Sequence, residues 1–340
     1  MAAVLAVKEL FDRLNVSPLI TTEPWLAVDL STVPPAAVDE AAMTLLAERT
    51  QVIIGVLPEA PTEAAVSLAR ACTVTLSAQP LAERQIVAVH DITTALRALT
   101  TAVHASPVAA ISLSRLLRLQ SRLPVRDALV AESALYSVLL AGGEFTSWLE
   151  SRRGRRPQET ADPVEVKLET RTLRITLSRP ARRNAFNAAM REALCDALAV
   201  AAGDPSLRVE LRGGGPDFCA GGDLDEFGTS LDPASAHLLR TARSAGLALH
   251  RVADRTTAYL QGNCIGAGIE LPAFAGRVVA RPDVRIRLPE LSMGLIPGAG
   301  GTVSLTRRIG PWRTAWLALT GATLTASEAL GWGLVDEVRP

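Results

Sequence analysis

Apolar positions in the first ninety residues come in short blocks. Trp25–Leu30 and Gln51–Leu57 are aliphatic runs of strand length, and Cys72–Ser77 and Gln85–His90 read as two more strands. The Ala-rich interval 36–49 and residues 62–70 read as helices, so residues 1–90 predict a small α/β region. From residue 91 the period changes. Leu96, Leu99 and Val103 share a face, as do Leu113, Leu116 and Leu117, and later Leu135, Val138 and Leu139. Pro107 and Pro124 punctuate the pattern, which predicts about three amphipathic helices within 91–156. Stripes this apolar need a second surface to cover. The remainder, 157–340, opens with alternation. Val164, Val166 and Leu168, then Leu173, Ile175 and Leu177, predict a hairpin turning at 169–172 with its apolar residues on one face. Asn187 is placed to cap a helix carrying Met190, Leu194, Leu198 and Ala201. A strand at 207–211, a helix over 234–252, a strand at 256–261 and a helix over 269–274 follow. Thr325-Ala-Ser-Glu328 is a capping box.

Composition narrows the class. The chain has 340 residues, which points to roughly two domains, and 48% hydrophobic content against 21% charged suits a globular protein with a large interior. Lys+Arg and Asp+Glu are 35 each, and this balance offers no footprint for nucleic acid or an anionic membrane surface. Cys72, Cys195, Cys219 and Cys264 lie far apart without metal-type spacing and read as reduced thiols of a cytoplasmic protein. Met1–Lys8 lacks the pattern of a signal peptide, and no apolar run reaches the ~18 residues of a membrane span. The basic cluster Arg152-Arg-Gly-Arg-Arg156 before Pro157 carries no interleaved aromatics and reads as a solvated linker.

Candidate chemistry lies in two Gly-rich turns. One is Gly213–Leu224; the other runs Gly262-Asn-Cys-Ile-Gly-Ala-Gly-Ile-Glu270. Each follows a strand, so each turn has a backbone N–H to aim at a common oxygen. Glu270 and Glu290 stand 20 residues apart among small and apolar neighbours. Burial of that kind raises a carboxyl pKa toward the range where acid/base work at neutral pH is done. Glu270 has an alternative reading as an acid complementing a helix dipole, and Glu290 as a partner of Arg285 or Arg287. Gly298–Gly301 lacks the Lys and the context of a phosphate loop. His90, His104, His237 and His250 have no ligand spacing, and no metal site is expected. From the residues alone, the site does proton chemistry beside a polarised carbonyl.

Six passages resemble the crotonase superfamily, also called the enoyl-CoA hydratase/isomerase family. They are Arg182-Arg-Asn-Ala-Phe-Asn187, Phe218-Cys-Ala-Gly-Gly-Asp-Leu224, Gly266-Ala-Gly-Ile-Glu-Leu271, Leu288-Pro-Glu290, Gly294–Thr302 and Gly331-Trp-Gly-Leu-Val-Asp-Glu337. They occur in order between residues 164 and 338. The resemblance implies an α/β crotonase-like spiral of ββα units, with the N-terminal α/β and helical regions packing on it. It also implies an acyl-CoA thioester substrate, no separate cofactor, and a homo-oligomer, trimer or hexamer. Carried over by position, the oxyanion hole falls on the N–H groups of Gly222 and Ala267. Glu270 then activates the water that attacks C3, and Glu290 delivers a proton to C2. Arg182, Ala220, Asp223 and Leu224 fall in the substrate-binding passages; Asp223 also reads as orienting the turn, and Arg182 either as meeting CoA phosphates or as solvated.

Three departures stand out. Ala267 occupies a position where Gly is usual, and Gly276 one where Asp is often found. The helices that family members carry after the Gly-Leu-Val-Asp segment are not there. Residues 95–153, with Asp127–Glu132 and Gly143–Leu149, resemble that section displaced to the N-terminal side, and residues 1–90 resemble a degenerate copy of the ββα unit. The implied activity is enoyl-CoA hydration. The alternatives are double-bond isomerisation, other CoA-thioester chemistry of the same kind, or non-catalytic binding of a CoA ester or partner.

Overall fold

The computed structural model describes residues 4–16, 23–34, 38–152, 162–229 and 232–340. Strands β1 (Val4–Leu5), β2 (Trp25–Asp29), β3 (Val52–Leu57), β4 (Val74–Ser77) and β5 (Ile86–Ala88) form a parallel sheet in sequential order. Helices α1 (Val7–Val16), α2 (Glu40–Glu48) and α3 (Glu63–Ala71) connect the first four strands. The strands read as unbroken aliphatic runs because both sheet faces are covered. Side chains alternate along each strand. Ile53 and Leu57 enter a core with Leu10, Leu46 and Leu68 of α1–α3. Val52, Ile54 and Val56 enter the main core with Leu99, Leu113 and Leu305. The N-terminal sheet therefore shares its core with the rest of the chain.

Four helices follow instead of three: α4 (Ile92–Ala105), α5 (Pro107–Gln120), α6 (Val125–Leu140) and α7 (Gly143–Ser151). Pro107 starts α5 at its first turn, where a missing N–H is harmless, and Gly142 separates α6 from α7. The proposed linker at 153–156 lies outside the described residues.

The second half is a spiral. Strands β6 (Val164–Glu169), β7 (Thr172–Leu177), β8 (Arg208–Gly213), β9 (Thr256–Leu260), β11 (Arg277–Ala280) and β14 (Glu337–Val338) make one sheet, ordered β14-β11-β9-β8-β7-β6. All its neighbours are parallel except β6 and β7. Between β9 and β14 the chain leaves this sheet for a small one made of β10 (Asn263–Ile265), β12 (Arg285–Arg287) and β13 (Leu324–Thr325). Each excursion ends in a helix: β9–β10–α11 (Ala267–Glu270), β11–β12–α12 (Gly301–Thr320) and β13–α13 (Ala326–Trp332). Helix α8 (Ala188–Gly203) is capped by Asn187, whose Oδ1 accepts the Met190 N–H at 2.9 Å, and α13 carries the expected capping box.

Three expectations need correction. Val166 and Leu168 are 47% and 62% exposed, because β6 is an edge strand and only Val164 reaches the core. The helix over 269–274 is a single turn that starts at Ala267 and stops at Glu270, with a 3₁₀ turn at Pro272–Phe274. The helix over 234–252 is two helices, α9 (Pro233–Ala242) and α10 (Ala245–Arg251), divided where Ser244 caps the second. The helical region packs on the spiral: α5 and α6 lie against α12, α6 against α9 and α10, and α7 against the turn at Glu290–Met293.

Candidate active site

Asn184, buried with a left-handed backbone, pins the first Gly-rich turn. Its Nδ2 donates to the carbonyls of Gly214, Asp217 and Phe218 at 2.8–3.1 Å. The turn then runs beside the second one, bridged in parallel at Cys219 and Cys264. A Cβ on Gly268 would stand 2.3 Å from the Cys219 carbonyl oxygen, and one on Gly222 2.9 Å from the Phe227 ring. Glycine is what lets the two turns close on one another. The N–H groups of Gly222 and Ala267 donate to no described residue. Both residues line one cavity of about 980 Å³, together with Glu270, Glu290, Glu132, Tyr136, Phe145 and Phe227.

Glu270 closes the single turn of α11 and is 2% exposed. Its Oε2 accepts the N–H groups of Ala299 (2.7 Å) and Gly301 (2.9 Å), which leaves Oε1 out of those bonds. Burial pushes its pKa up to about 7, against the pull of the two amides. Glu290 begins the 3₁₀ turn after β12. Its residue surface is partly exposed, but its Oε2 is buried without a hydrogen-bond partner. Burial and then the nearby Glu270 charge hold the Glu290 carboxyl well above the usual carboxylate range. Gly266, at φ +49°, separates the two acids. A Cβ there would lie 2.5 Å from Oε1 of Glu290 and 3.7 Å from Oε1 of Glu270. The two oxygens thus approach one point beside Gly266.

A third buried carboxyl, one that sequence reasoning did not assign, comes from the helical region. Glu132 on α6 is 2% exposed. Its Oε1 accepts the Gly300 N–H at 2.7 Å; its Oε2 accepts the Thr302 N–H at 3.0 Å and the Thr302 hydroxyl at 2.6 Å. Burial and then the Glu270 charge push its pKa up to about 8. The signal that could have found it is an acid at i+3 and an aromatic at i+7 from Leu129, on the covered face of an otherwise apolar helix. The loop before α12 is therefore occupied: the amides of residues 299–302 go alternately to Glu270 and Glu132.

Among the described residues no group of three His, Cys, Asp or Glu is placed to hold a metal ion, and no single helix is long and apolar enough to cross a membrane. All four cysteines are buried and free.

The family model described as enoyl-CoA hydratase/isomerase matches residues 168–340. The chain belongs to that family. It is 37% identical over 176 residues to the 2,3-dehydroadipyl-CoA hydratase of Escherichia coli (strain K12), covering 52% of this chain and 68% of that one. It is 34% identical over 179 residues to the mevalonyl-coenzyme A hydratase of Beauveria bassiana (strain ARSEF 2860), covering 49% and 62%. The chain thus spans about two thirds of the length of these relatives. A crystal structure of enoyl-CoA hydratase from Thermoplasma volcanium GSS1 aligns at 35% identity and a TM-score of 0.49, over 53% of this chain and 72% of that one.

Within this family pattern, the structure brings Gly222, Asp223, Ala267, Glu270 and Glu290 to one cavity wall. Asp223 is committed to a buried ion pair, with Arg179 Nη2 donating to its Oδ2 at 2.8 Å, so it orients the turn. Arg182, Ala220 and Leu224 do not line the cavity. Arg182 is ion-paired with Asp225 at 2.9 Å, the Ala220 N–H is bonded to the Arg183 carbonyl, and Leu224 is 37% exposed. Glu290 makes no ion pair with Arg285 or Arg287; Arg287 instead donates to the Gly321 carbonyl at 2.7 Å. The departure at Gly276 has a steric reason, since a Cβ there would meet the Ala253 carbonyl oxygen at 2.5 Å.

Proposed function

We propose that the protein binds the CoA thioester of a 2,3-unsaturated acid and adds water across its double bond. The thioester oxygen accepts the N–H groups of Gly222 and Ala267, which stabilise the charge it gains as the enolate forms; such a donor is worth roughly 3–4 kcal/mol in known acyl-transfer sites. Glu270, ionised, takes a proton from the water whose oxygen bonds to C3. Glu290, protonated, gives its proton to C2 as the enolate collapses. One water is consumed, and the proton count balances once Glu270 and Glu290 exchange the proton back through solvent. What carries the reading is the Glu290 carboxyl, whose Oε1 approaches Oε1 of Glu270 beside Gly266 while its Oε2 is buried without a partner. Environments that push two carboxyls apart assign an acid and a base. The hydratases among the relatives support water as the co-substrate.

The helices of residues 92–151 take, in this reading, the part of the helical section that other family members carry at the far end of the domain, and close the acyl side of the cavity. Arg182, Ala220 and Leu224 receive no direct role. A panel of enoyl-CoA esters, with products weighed for the addition of one water, tests the proposal. Loss of turnover in both E270Q and E290Q fits hydration. A shifted double bond without mass gain, sensitive to one variant only, supports isomerisation instead, and binding without any turnover supports a silent CoA-ester binder.

A further inference from the structure

The loop Ala299–Thr302 offers four successive N–H groups at the head of α12, and two carboxylates share them. Ala299 and Gly301 donate to Glu270; Gly300 and Thr302 donate to Glu132. Neither carboxylate can shift without moving amides that hold the other. The Thr302 hydroxyl fixes the direction of the network. It accepts from Gln120 Nε2 at 2.8 Å, so its own hydrogen points to Glu132 Oε2 at 2.6 Å. Gln120 and Glu132 belong to α5 and α6, whereas the loop, Glu270 and Glu290 belong to the family-matched half. All of the network except Ala299 is buried; Gln120 and Thr302 are 0% exposed.

We infer that Glu132 is a positioning residue for the site: it locks the 299–302 loop so that Glu270 keeps one oxygen turned to the cavity and both loop amides on the other. This rests on the reading of Glu270 as the base. It makes the N-terminal half part of the reaction machinery, with the site completed inside one chain. The other groups within electrostatic reach of Glu132 are Glu270 on α11, Glu290 on the turn after β12, Tyr136 on α6 itself and Arg240 on α9. Arg240 donates to both Ser133 and Ser137 and lies over the Tyr136 ring at 5.1 Å, so it is held outside the carboxyl pair.

The test is E132Q in the full chain. Its side-chain N–H₂ faces one of the two loop amides, so one contact that holds the loop is lost. The turnover number should fall roughly 10- to 100-fold with the KM nearly unchanged, the scale of a small misplacement of a reacting group. The acidic limb of the pH–rate profile should move up by as much as about one unit, because a loosened loop weakens the Ala299 and Gly301 bonds that favour ionised Glu270. E132D keeps two acceptor oxygens for the loop amides, so its limb should lie nearer the native position and part of the turnover should return. Infrared titration of the protonated-carboxyl band assigned to Glu270 by its loss in E270Q reads the same shift without turnover. That band should move in E132Q even if no enoyl-CoA ester is hydrated, which separates this inference from the assigned reaction. If E132Q does not fold, T302V removes the hydroxyl that Gln120 steers into Glu132 and should shift the band in the same direction. A purely structural Glu132 would lower the melting temperature and leave both limb and band in place; that result overturns the inference.

Discussion

The two parallel sheets of this chain obey the same rules until one of them stops doing so. In the sheet of β1–β5 the faces are filled mainly with aliphatic side chains, and the buried polar groups at β4 are neutral hydroxyls, Thr73 matched to Ser114 at 2.7 Å and Thr75 Oγ1 without a partner. The spiral of residues 164–340 has an aliphatic core as well, yet at one place it buries carboxyl groups: those of Glu270, Glu290 and, inserted from α6, Glu132. Burying carboxyls is costly unless they are neutral or well bonded. The first region shows what this chain does when only stability is at stake, and so marks the second as built for chemistry.

The sharpest way to break that contrast is to remove one acid without changing its shape. E270Q should lower turnover by roughly 10²- to 10⁴-fold, the range for loss of a positioned base. Its resistance to denaturant at alkaline pH should not fall, because a buried charge has gone. Ile54→Ala in β3 should do the reverse. It empties a fully buried site and should cost about 2–5 kcal/mol in denaturant unfolding, with turnover per folded molecule unchanged. If E270Q destabilised the chain as Ile54→Ala does, Glu270 would be a packing residue and the comparison would fail.

A pair of glycines gives a finer version. A Cβ on Gly266 would stand 2.5 Å from Oε1 of Glu290, on a backbone at φ +49° that side chains rarely adopt. A Cβ on Gly55 would stand 2.5 Å from Oγ1 of Thr75, on an ordinary strand. Gly266→Ala should cut turnover at least roughly 100-fold by displacing the acids and the Ala267 amide. Gly55→Ala should cost about 1–3 kcal/mol of stability as an overpacked core position, and leave the KM and turnover alone.

What the chain discloses before folding follows the same division. Strands β2–β5, the Gly-rich turns and both motif glutamates were legible because their signals are local: aliphatic runs, glycines after a strand, an acid between Ile269 and Leu271. Glu132 lies in a legible helix but has no legible role, because its meaning lies in contacts 168 and 170 residues away, at Gly300 and Thr302. No period or spacing carries a register between α6 and α12. Strand β6 misled for a related reason: Val166 and Leu168 alternate properly, but nothing in alternation tells an edge strand from a central one. The short turn at Ala267–Glu270 read as a longer helix because Pro272 looks the same at the end of one turn as at the start of a second.

The pH dependence of stability separates the regions next. The three buried acids bind protons more tightly in the folded chain than in the unfolded one, with Glu270 near 7 and Glu132 near 8, and Glu290 also raised. An acid with a raised folded pKa loses stability as pH climbs from its unfolded value, about 4.3, through the folded one. The chain should therefore resist denaturant better near pH 5 than near pH 8. The slope is about 1.4 kcal/mol per pH unit for each extra proton that the folded state holds. E270Q and E132Q should each flatten it, and Ile54→Ala should lower the curve without changing its slope. A flat native curve between pH 5 and 8 would mean that the acids are not held as the structure has them.

The smallest effect expected is at the edge strand, and it tests whether apolar character alone earns a residue a place in either core. Val166 lies on the same face of the hairpin as its pair Ile175, yet at the sheet edge it is 47% exposed while Ile175 is fully buried. Val166→Thr keeps the branched shape and the strand preference and gives an exposed site a hydroxyl that water can solvate. Surface changes of this kind fall within about 0.5 kcal/mol. Ile175→Thr places the same hydroxyl in the main core, where it has to give up water without a designed partner, and should be destabilising by about 1–3 kcal/mol. If Val166→Thr proved as damaging as Ile175→Thr in the isolated chain, β6 would be covered in solution, and measuring the oligomeric state of the two proteins would show whether a second copy covers it.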